Sequence, residues 1–393
     1  MSVSSKKNEK VVACRICGGS LGSVLDLGEL FLSTFVEKEG DNIGKAPLEL
    51  AKCERGCGLV QLRHNVSQEL LYSGKYWYRS GINPVIVENL KEIAVSMMHK
   101  GGEGAKGKVW LDIGANDGTL LSFVEGFRRI GVEPASNLQE ELTKHCELVV
   151  PKFWEDVKLD EKADVITAIG MFYDSVDPNQ FIWNVKQHLA EDGVFIFQMA
   201  TLKTMLELND LGNICHEHLE YYSFHSLREL MERNGLDLVG VEENGINGGS
   251  YRCVVGHKFF GSVNIAEPVE DIEDFRERIE ENKRRVVDFV KMVTAAGKKV
   301  YGYGASTKGN TILQYYGLDK SLIKGIADPN PEKIGKLAVG SWIPVVSEEE
   351  ARADADYFLV LPWGFLDSFK ERERDWVKKG GSFITHTPYF SVQ

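Results

Sequence analysis

Residues 110–118 read Trp-Leu-Asp-Ile-Gly-Ala-Asn-Asp-Gly, and this stretch constrains the fold more than any other. An apolar run, Val109–Ile113, enters a glycine-rich turn, and a helical pattern follows from Thr119. Roughly twenty residues past the start of that run, a second short strand, Arg129–Val132, ends in Glu133. Backbone in such a βα turn can approach a nucleotide-like ligand closely, and an acidic residue at the tip of the next strand can take both ribose hydroxyls. The turn does not have the dinucleotide spacing G-x-G-x-x-G; it reads D-x-G-x-N-D-G. It is also compatible with a phosphate-independent βα turn in some other doubly wound protein.

The rest of the middle of the chain supports a doubly wound α/β sheet. Lys108–Ile113, Arg129–Val132, Glu147–Val150, Ala163–Ala168 and Gly193–Gln198 read as strands separated by amphipathic helices. A helical pattern over Pro84–His99 precedes them. Ser223 has the character of an N-cap for a helix over Phe224–Asn234, closed by Gly235. Leu236–Glu242 and Ser250–Val255 then form a hairpin pattern around Asn247-Gly248-Gly249. A charged helix over about Glu267–Ala296, read as mostly a solvated face, leads to a second, smaller α/β unit. Its strands are Lys298–Tyr303, Ile323–Ala327, Tyr357–Leu361 and Ser382–Thr385. The turn Gly304–Asn310 puts Lys308 near a helix start, where it either holds an anionic group or only packs helix on strand.

The chain has 393 residues, enough for two or three domains. Its 46 basic residues against 58 acidic ones, with no Lys/Arg stripe in the central region, argue against a nucleic-acid backbone as partner. A nucleotide-linked small molecule needs only a few local cations. No apolar run is long enough to span a bilayer, and Met1–Lys10 is polar with no apolar signal core, so a soluble cytoplasmic protein is expected. The sequence leaves oligomeric state open.

Seven cysteines without a secretion signal favour metal binding and reduced thiols over disulfides. Cys14-x-x-Cys17 and Cys53-x-x-x-Cys57 form two close pairs, and Gly18 and Gly58 follow directly, as a zinc knuckle requires. Four sulfurs leave no open coordination position, so the zinc is structural. The competing reading is a pair of redox dithiols.

Candidate chemistry lies in Asn213–Ser223, which reads Asn-Ile-Cys-His-Glu-His-Leu-Glu-Tyr-Tyr-Ser. It follows a strand and a short helix, at the carboxyl edge where open α/β sheets bind ligands. A histidine flanked by carboxylates can serve as a general base, the carboxylate fixing its tautomer. His216 and His218 also permit a metal reading, disfavoured because no third ligand is evident nearby. Tyrosines at 76, 78, 173, 221 and 222 are dense, and tyrosine hydroxyls can donate to an enolate oxygen; some must simply pack.

The D-x-G-x-N-D-G turn resembles motif I of class I S-adenosylmethionine (SAM) methyltransferases. Almost the whole chain resembles the sugar C-methyltransferases that act on nucleotide-linked 4-keto-deoxyhexoses. The resemblance rests on the knuckles ending in Cys57-Gly58-Leu59-Val60-Gln61, Tyr76-x-Tyr78-x-Ser80, Asp112–Gly118, Met171-Phe172-Tyr173-Asp174, Cys215–Tyr222, Asn247–Ser250 and Gly302–Lys308. It implies a zinc-binding domain at 1–72, a class I methyltransferase core at 73–258 and a C-terminal Rossmann-like substrate-binding domain at 259–393, with the nucleotide sugar between the last two. It implies methylation at carbon 3: His218 removes the proton beside the ketone, with Glu217 as its partner or a sugar-hydroxyl ligand, and Tyr76 and Tyr222 holding the enolate or ring. SAM contacts are implied for Tyr78, Ser80, Asp112, Gly114, Asn116, Gly118 and Glu133, and sugar contacts for Tyr173, Asn247 and Lys308. Three positions depart from the family pattern. Some relatives have histidine at the position of Tyr173 and tyrosine at that of Cys215, and often histidine or asparagine at that of Gly364. Methylation at carbon 5 or at an oxygen, and a non-catalytic nucleotide-sugar binding protein, are the alternative readings.

Overall fold

The computed structural model describes residues 9–41, 44–72, 76–100, 106–257, 263 and 272–393. The expected helix start at 267 and part of the aromatic stretch, residues 73–75, lie outside the described residues. A seven-stranded sheet forms the middle. In chain order its strands are β1 (Val109–Ile113), β2 (Arg128–Val132), β3 (Leu148–Val150), β4 (Ala163–Ile169), β5 (Leu189–Ala200), β6 (Leu236–Asn244) and β7 (Ser250–His257). They lie in the order β6-β7-β5-β4-β1-β2-β3, parallel except for β7, which runs antiparallel to both β5 and β6. The order reverses between β1 and β4, so the carboxyl ends of those two strands open a crevice where ligands bind in such sheets. Both faces of β1 are covered, and every residue of it, Asp112 included, is buried.

Local signals fix the flanking helices. Asp177 caps the helix Pro178–His188 by accepting from the Gln180 N–H, with Pro178 in the first turn. Ser223 caps Phe224–Arg233 in a reciprocal capping box with Ser226. Ser306 caps Thr307–Tyr316 and Gly317 ends it in the left-handed region. The last of these helices belongs to a six-stranded C-terminal sheet. Its central strands Ile323–Ala327, Val300–Tyr303, Tyr357–Val360 and Ser382–Thr385 are parallel neighbours in that order.

The charged helix spans Ile272–Ala295 and is not mainly a solvated face. Phe275, Ile279, Val286 and Val290 are fully buried, one stripe at helical spacing, and only the other faces carry the charges. Burying each such side chain contributes about 1.5–3 kcal/mol. No helix among the described residues is long and apolar enough to cross a membrane.

The N-terminal segment has a small apolar cluster of its own, Leu32, Ala46 and Val66, and packs mostly into the rest of the chain. Leu21–Phe31, Lys45–Cys53 and Val60–Leu62 form a sheet whose fourth strand is Glu220–Tyr221, taken from the candidate catalytic stretch. Leu25, Leu48, Leu50 and Leu62 of this sheet share one apolar cluster with Phe275 and Ile279 of the long helix and with Ile312 and Leu313 of the C-terminal unit. Phe31 and Gln314 exchange hydrogen bonds, 2.8 and 3.1 Å, across the same junction. The candidate catalytic stretch is thereby enclosed by all three parts.

Candidate active site

The four cysteines converge. All four sulfurs lie within 4.8 Å of one another, and Cys14–Cys57 and Cys17–Cys53 stand 3.5 Å apart. A tetrahedral zinc with sulfurs at ~2.3 Å has edges of about 3.8 Å, so the set fits zinc. Gly18 and Gly58 hold φ of +73° and +72°, the left-handed turns that the knuckles need. The space between the loops comes from Gly56, where a Cβ would sit 2.5 Å from the Cys17 sulfur.

The SAM side follows from the β1 turn. Gly114 and Asn116 are left-handed, with φ of 67° and 53°. The Gly114 and Ala115 N–H groups donate to the Val132 carbonyl at 2.9 and 3.0 Å, folding the turn over the end of β2. Glu133 then accepts the Asn116 N–H on one oxygen at 2.9 Å and the Ala135 N–H on the other at 2.8 Å. Burial raises its pKa against these two bonds. A cavity of about 770 Å³, counting its open mouth, is lined by Tyr76, Tyr78, Ser80, Gly114, Asn116 and Glu133, among others. A Cβ on Gly114 would come within 2.7 Å of Met171 Cγ and narrow this cradle. An anchored carboxylate beside a cradle without side chains suits the ribose and methionyl parts of SAM.

Two expected SAM ligands stand behind this wall rather than in it. Asp112 is buried and accepts the Thr167 hydroxyl at 2.6 Å, and burial pushes its pKa up to about 7. Gly118, at φ +81°, caps Thr119–Ser122 and packs so tightly that a Cβ would meet His145 and Leu142 at 3.1 Å. The Tyr76–Ser80 strap is held by residues that carried no sequence signal for it. Asn137 exchanges hydrogen bonds of 3.0 Å with the Tyr76 backbone, and the Asn116 side chain accepts the Ser80 N–H at 3.0 Å and donates to the Tyr78 carbonyl at 3.2 Å. Glu155, half-buried beside the same cavity and bonded by the Ser175 hydroxyl at 3.0 Å, is a further polar group missed by the motifs.

His218 lies on the other side of Tyr173, whose ring meets it edge-on at 4.5 Å. Its Nδ1 stands 2.8 Å from the Asn213 carbonyl. A carbonyl only accepts, so Nδ1 carries the proton and Nε2 is the free base. The carboxylate expected to fix the tautomer does not do so; backbone does. Burial, then the Lys308 charge, lowers the His218 pKa to about 3, which keeps the ring neutral. Lys308 itself reaches Asp210 at 3.6 Å. Glu217 takes the Thr307 hydroxyl at 3.5 Å, and burial pushes its pKa up to about 7 despite that bond. The turn Gly304–Lys308 therefore does more than pack: it brings Thr307 to Glu217 and the Lys308 charge to His218.

Other expectations separate here. His216 points away, its Nε2 3.0 Å from the Ala46 carbonyl, so the two histidines share no ligand. Tyr222 is no enolate donor as placed. Its ring stacks on Phe172 at 5.3 Å with an 8° tilt, and its charged neighbours are Glu220 and Arg15 rather than cavity groups. Cys215 is fully buried, and burial raises its thiol pKa. Asn247, left-handed at φ 55°, lines a narrow crevice of about 180 Å³ with Asp210, Asn213 and Trp363. Gly364 closes the same junction, since a Cβ there would lie 3.0 Å from the Gly248 nitrogen. It is a packing position, not a lost contact.

Three family models match in chain order: a zinc binding domain over residues 14–72, a methyltransferase domain over 86–241 and a C-methyltransferase C-terminal domain over 262–388. The C-methyltransferase NovU of Streptomyces niveus is 29% identical over 406 residues, covering 95% of each chain. Among solved structures, a SAM-dependent methyltransferase from Clostridium acetobutylicum is 13% identical, covering 44% of this chain and 92% of its own with a TM-score of 0.37. The magnesium protoporphyrin IX methyltransferase of Synechocystis, with bound SAM, is 10% identical, covering 44% and 79% with a TM-score of 0.35. At those scores the two likenesses carry nothing further, and the assignment rests on the family models, the full-length relative and the strand order. The three domain models in this order, with a relative matching along 95% of the chain, support a SAM-dependent C-methyltransferase that carries a zinc-binding domain before the methyltransferase core and a C-methyltransferase C-terminal domain after it.

Proposed function

We propose that the chain methylates carbon 3 of a nucleotide-linked 4-keto-deoxyhexose in the cytoplasm. One observation carries this reading: His218, neutral and with Nε2 free, stands where the core and the C-terminal unit meet, beside Glu217 and Lys308. A ketone acidifies the hydrogen on the adjacent carbon, and a neutral imidazole is the form that accepts it. His218 Nε2 takes that proton. The C–H electron pair becomes the C3–C4 π bond, and the carbonyl pair moves onto oxygen. SAM supplies a sulfonium methyl that carbon 3 captures as the carbonyl re-forms, the broken bond's electrons staying on sulfur. Tyr76 and Tyr173 flank the reacting carbon, and Glu133, Gly114 and Asn116 hold the donor so that carbon and methyl come within about 3 Å. An anionic diphosphate near Lys308 offsets that cation and restores basicity to His218.

A second assignment of the base has its own support. Burial brings Glu217 to about 7, the range in which a carboxylate is an effective base at neutral pH. Incubation with SAM and a panel of nucleotide-linked keto-deoxysugars, read by mass and by NMR, tests the reaction itself. The expected product is heavier by one methylene unit, with the new methyl bonded to carbon. A methyl on oxygen, or no conversion of any keto-sugar, overturns it.

A further inference from the structure

We infer that Asp174, in its carboxylic acid form, is the hydrogen-bond donor to the ketone oxygen of the acceptor, and so the group that stabilises the enolate. This rests on the keto-sugar reading above.

Asp174 ends the short turn Phe172–Asp174 that follows β4, at the carboxyl edge of the sheet. It lines the same cavity as Tyr72, Tyr76, Gly114 and Glu133, so it shares one space with the methyl donor. Its Oδ1 is buried and has no hydrogen-bond partner. A buried carboxyl oxygen left unpaired costs about 1–3 kcal/mol, a cost that a bound ligand relieves.

The groups facing Asp174 decide its proton state. Glu217 and Glu220 are carboxyls, and Tyr173, Cys215 and Tyr76 are neutral groups that its charge would disfavour further. Burial, then Glu217 and Glu220, raise its pKa well above the carboxylate range, and the Tyr72 hydroxyl works the other way. Two carboxyls in one dry site cannot both ionise cheaply, so their proton affinities are pushed apart. Glu217 ionises near neutrality and Asp174 keeps its proton. A neutral acid beside a developing enolate donates a strong hydrogen bond without adding a repelling charge. Asp174 retains its proton throughout: the electron pair gathers on the ketone oxygen during proton removal and returns to the carbon framework on methyl transfer.

The test uses the full chain with Asp174→Asn and Asp174→Ala. Asparagine keeps an N–H donor, so Asp174→Asn is expected to hold kcat within about tenfold and to lose the alkaline fall in kcat that follows ionisation of Asp174. Asp174→Ala is expected to lower kcat by about 10²–10³. It should equally slow solvent deuterium exchange at the carbon beside the ketone. Asp174→Ala within threefold of the unaltered protein, or Asp174→Asn as slow as Asp174→Ala, overturns the inference. A substrate-free readout separates it from the keto-sugar reading. The infrared difference between the unaltered protein and Asp174→Asn at pH 7.5 should contain a protonated-carboxyl band, and a carboxylate band in its place overturns the inference even if no keto-sugar is converted.

Discussion

Glu133→Gln tests the carboxylate proposed to hold the SAM ribose. In the folded chain each carboxylate oxygen accepts a backbone N–H, from Asn116 at 2.9 Å and from Ala135 at 2.8 Å. A glutamine offers one oxygen, so its NH2 must face one of those two donors. That donor–donor conflict costs the turn about 1–3 kcal/mol and appears as lost stability with or without ligand. Affinity falls for a separate reason. Hydrogen bonds to a charged acceptor contribute about 1.5–3 kcal/mol against about 0.5–1.5 for a neutral one. Two ribose hydroxyls therefore lose about 2–3 kcal/mol together, and Kd rises about 30- to 150-fold. Calorimetric titration with S-adenosylhomocysteine reads the affinity, and thermal melting reads the turn. pH supplies an internal control. Burial raises the pKa of Glu133 above its ordinary value of 4.5, so binding by the unaltered protein is full above that raised pKa and weakens as the pH falls through it. The glutamine variant has no proton to take up and should lack this acid limb. A Kd within twofold, or an unaltered acid limb, refutes the role of Glu133.

The assignment of the base is read from kcat/KM against pH. If His218 acts, His218→Asn abolishes turnover while Glu217→Gln keeps part of it. If Glu217 acts, the activity of the unaltered protein rises through pH 7, the value to which burial brings its carboxyl, and Glu217→Gln removes that limb. Arg15→Lys should retain zinc by metal analysis and bind S-adenosylhomocysteine normally, yet lose about tenfold or more in kcat, because two carbonyl contacts of the guanidinium cannot both be kept by a single ammonium. Unchanged kcat in that variant removes the link between the knuckle and the base. Gly364→Ala drives a Cβ to 3.0 Å from the backbone nitrogen of Gly248, so the melting transition should show a loss of about 1–3 kcal/mol; a melting curve superimposable on the unaltered one would show that this junction is slack.

What the sequence makes legible here is chemistry that declares itself within a few residues. The Asp112–Gly118 turn, the acid at the tip of β2, the paired cysteines and the Ser223 cap each have a fixed local spacing. Groups recruited across the fold have none. The partner of His218 is the Asn213 carbonyl, and every residue has a carbonyl, so no pattern could mark it. Tyr221 and Tyr222 look equivalent in the chain, but neighbours in an extended segment point to opposite faces, and Tyr222 is turned onto Phe172. Asp112 and Gly118 belong to the motif because the wall needs them, one bonded to Thr167 and the other packed on Leu142. The apolar stripe of Ile272–Ala295 is obscured by the charges on its remaining faces. In each case the missing information is which distant surface the residue meets.

The zinc domain has a physical reason to exist beyond stability, and it begins at Leu219, the residue after His218. The Leu219 N–H donates to the Tyr173 carbonyl at 2.8 Å, and its own carbonyl accepts the Leu62 N–H at 2.8 Å and the Arg15 guanidinium at 3.2 Å. Arg15 sits between the ligands Cys14 and Cys17, spans to the Leu62 carbonyl at 2.9 Å and meets the buried Glu220 at 3.4 Å. Leu62 and Glu220 lie on strands of the N-terminal sheet, and Arg15 lies in its knuckle. A loop between a strand and a helix would otherwise place a base with the freedom of any surface connection, and misplacement by about 1 Å can cost a hundredfold in rate. Pairing Glu220–Tyr221 with Val60–Gln61 converts that loop into a sheet edge, and the metal fixes the loop that carries Arg15. The C-terminal unit completes the arrangement from the opposite side with Thr307 and Lys308. Positioning of His218 is thus shared among three units, none of which holds it alone, so loss of zinc should disorder the base before it affects the SAM cradle.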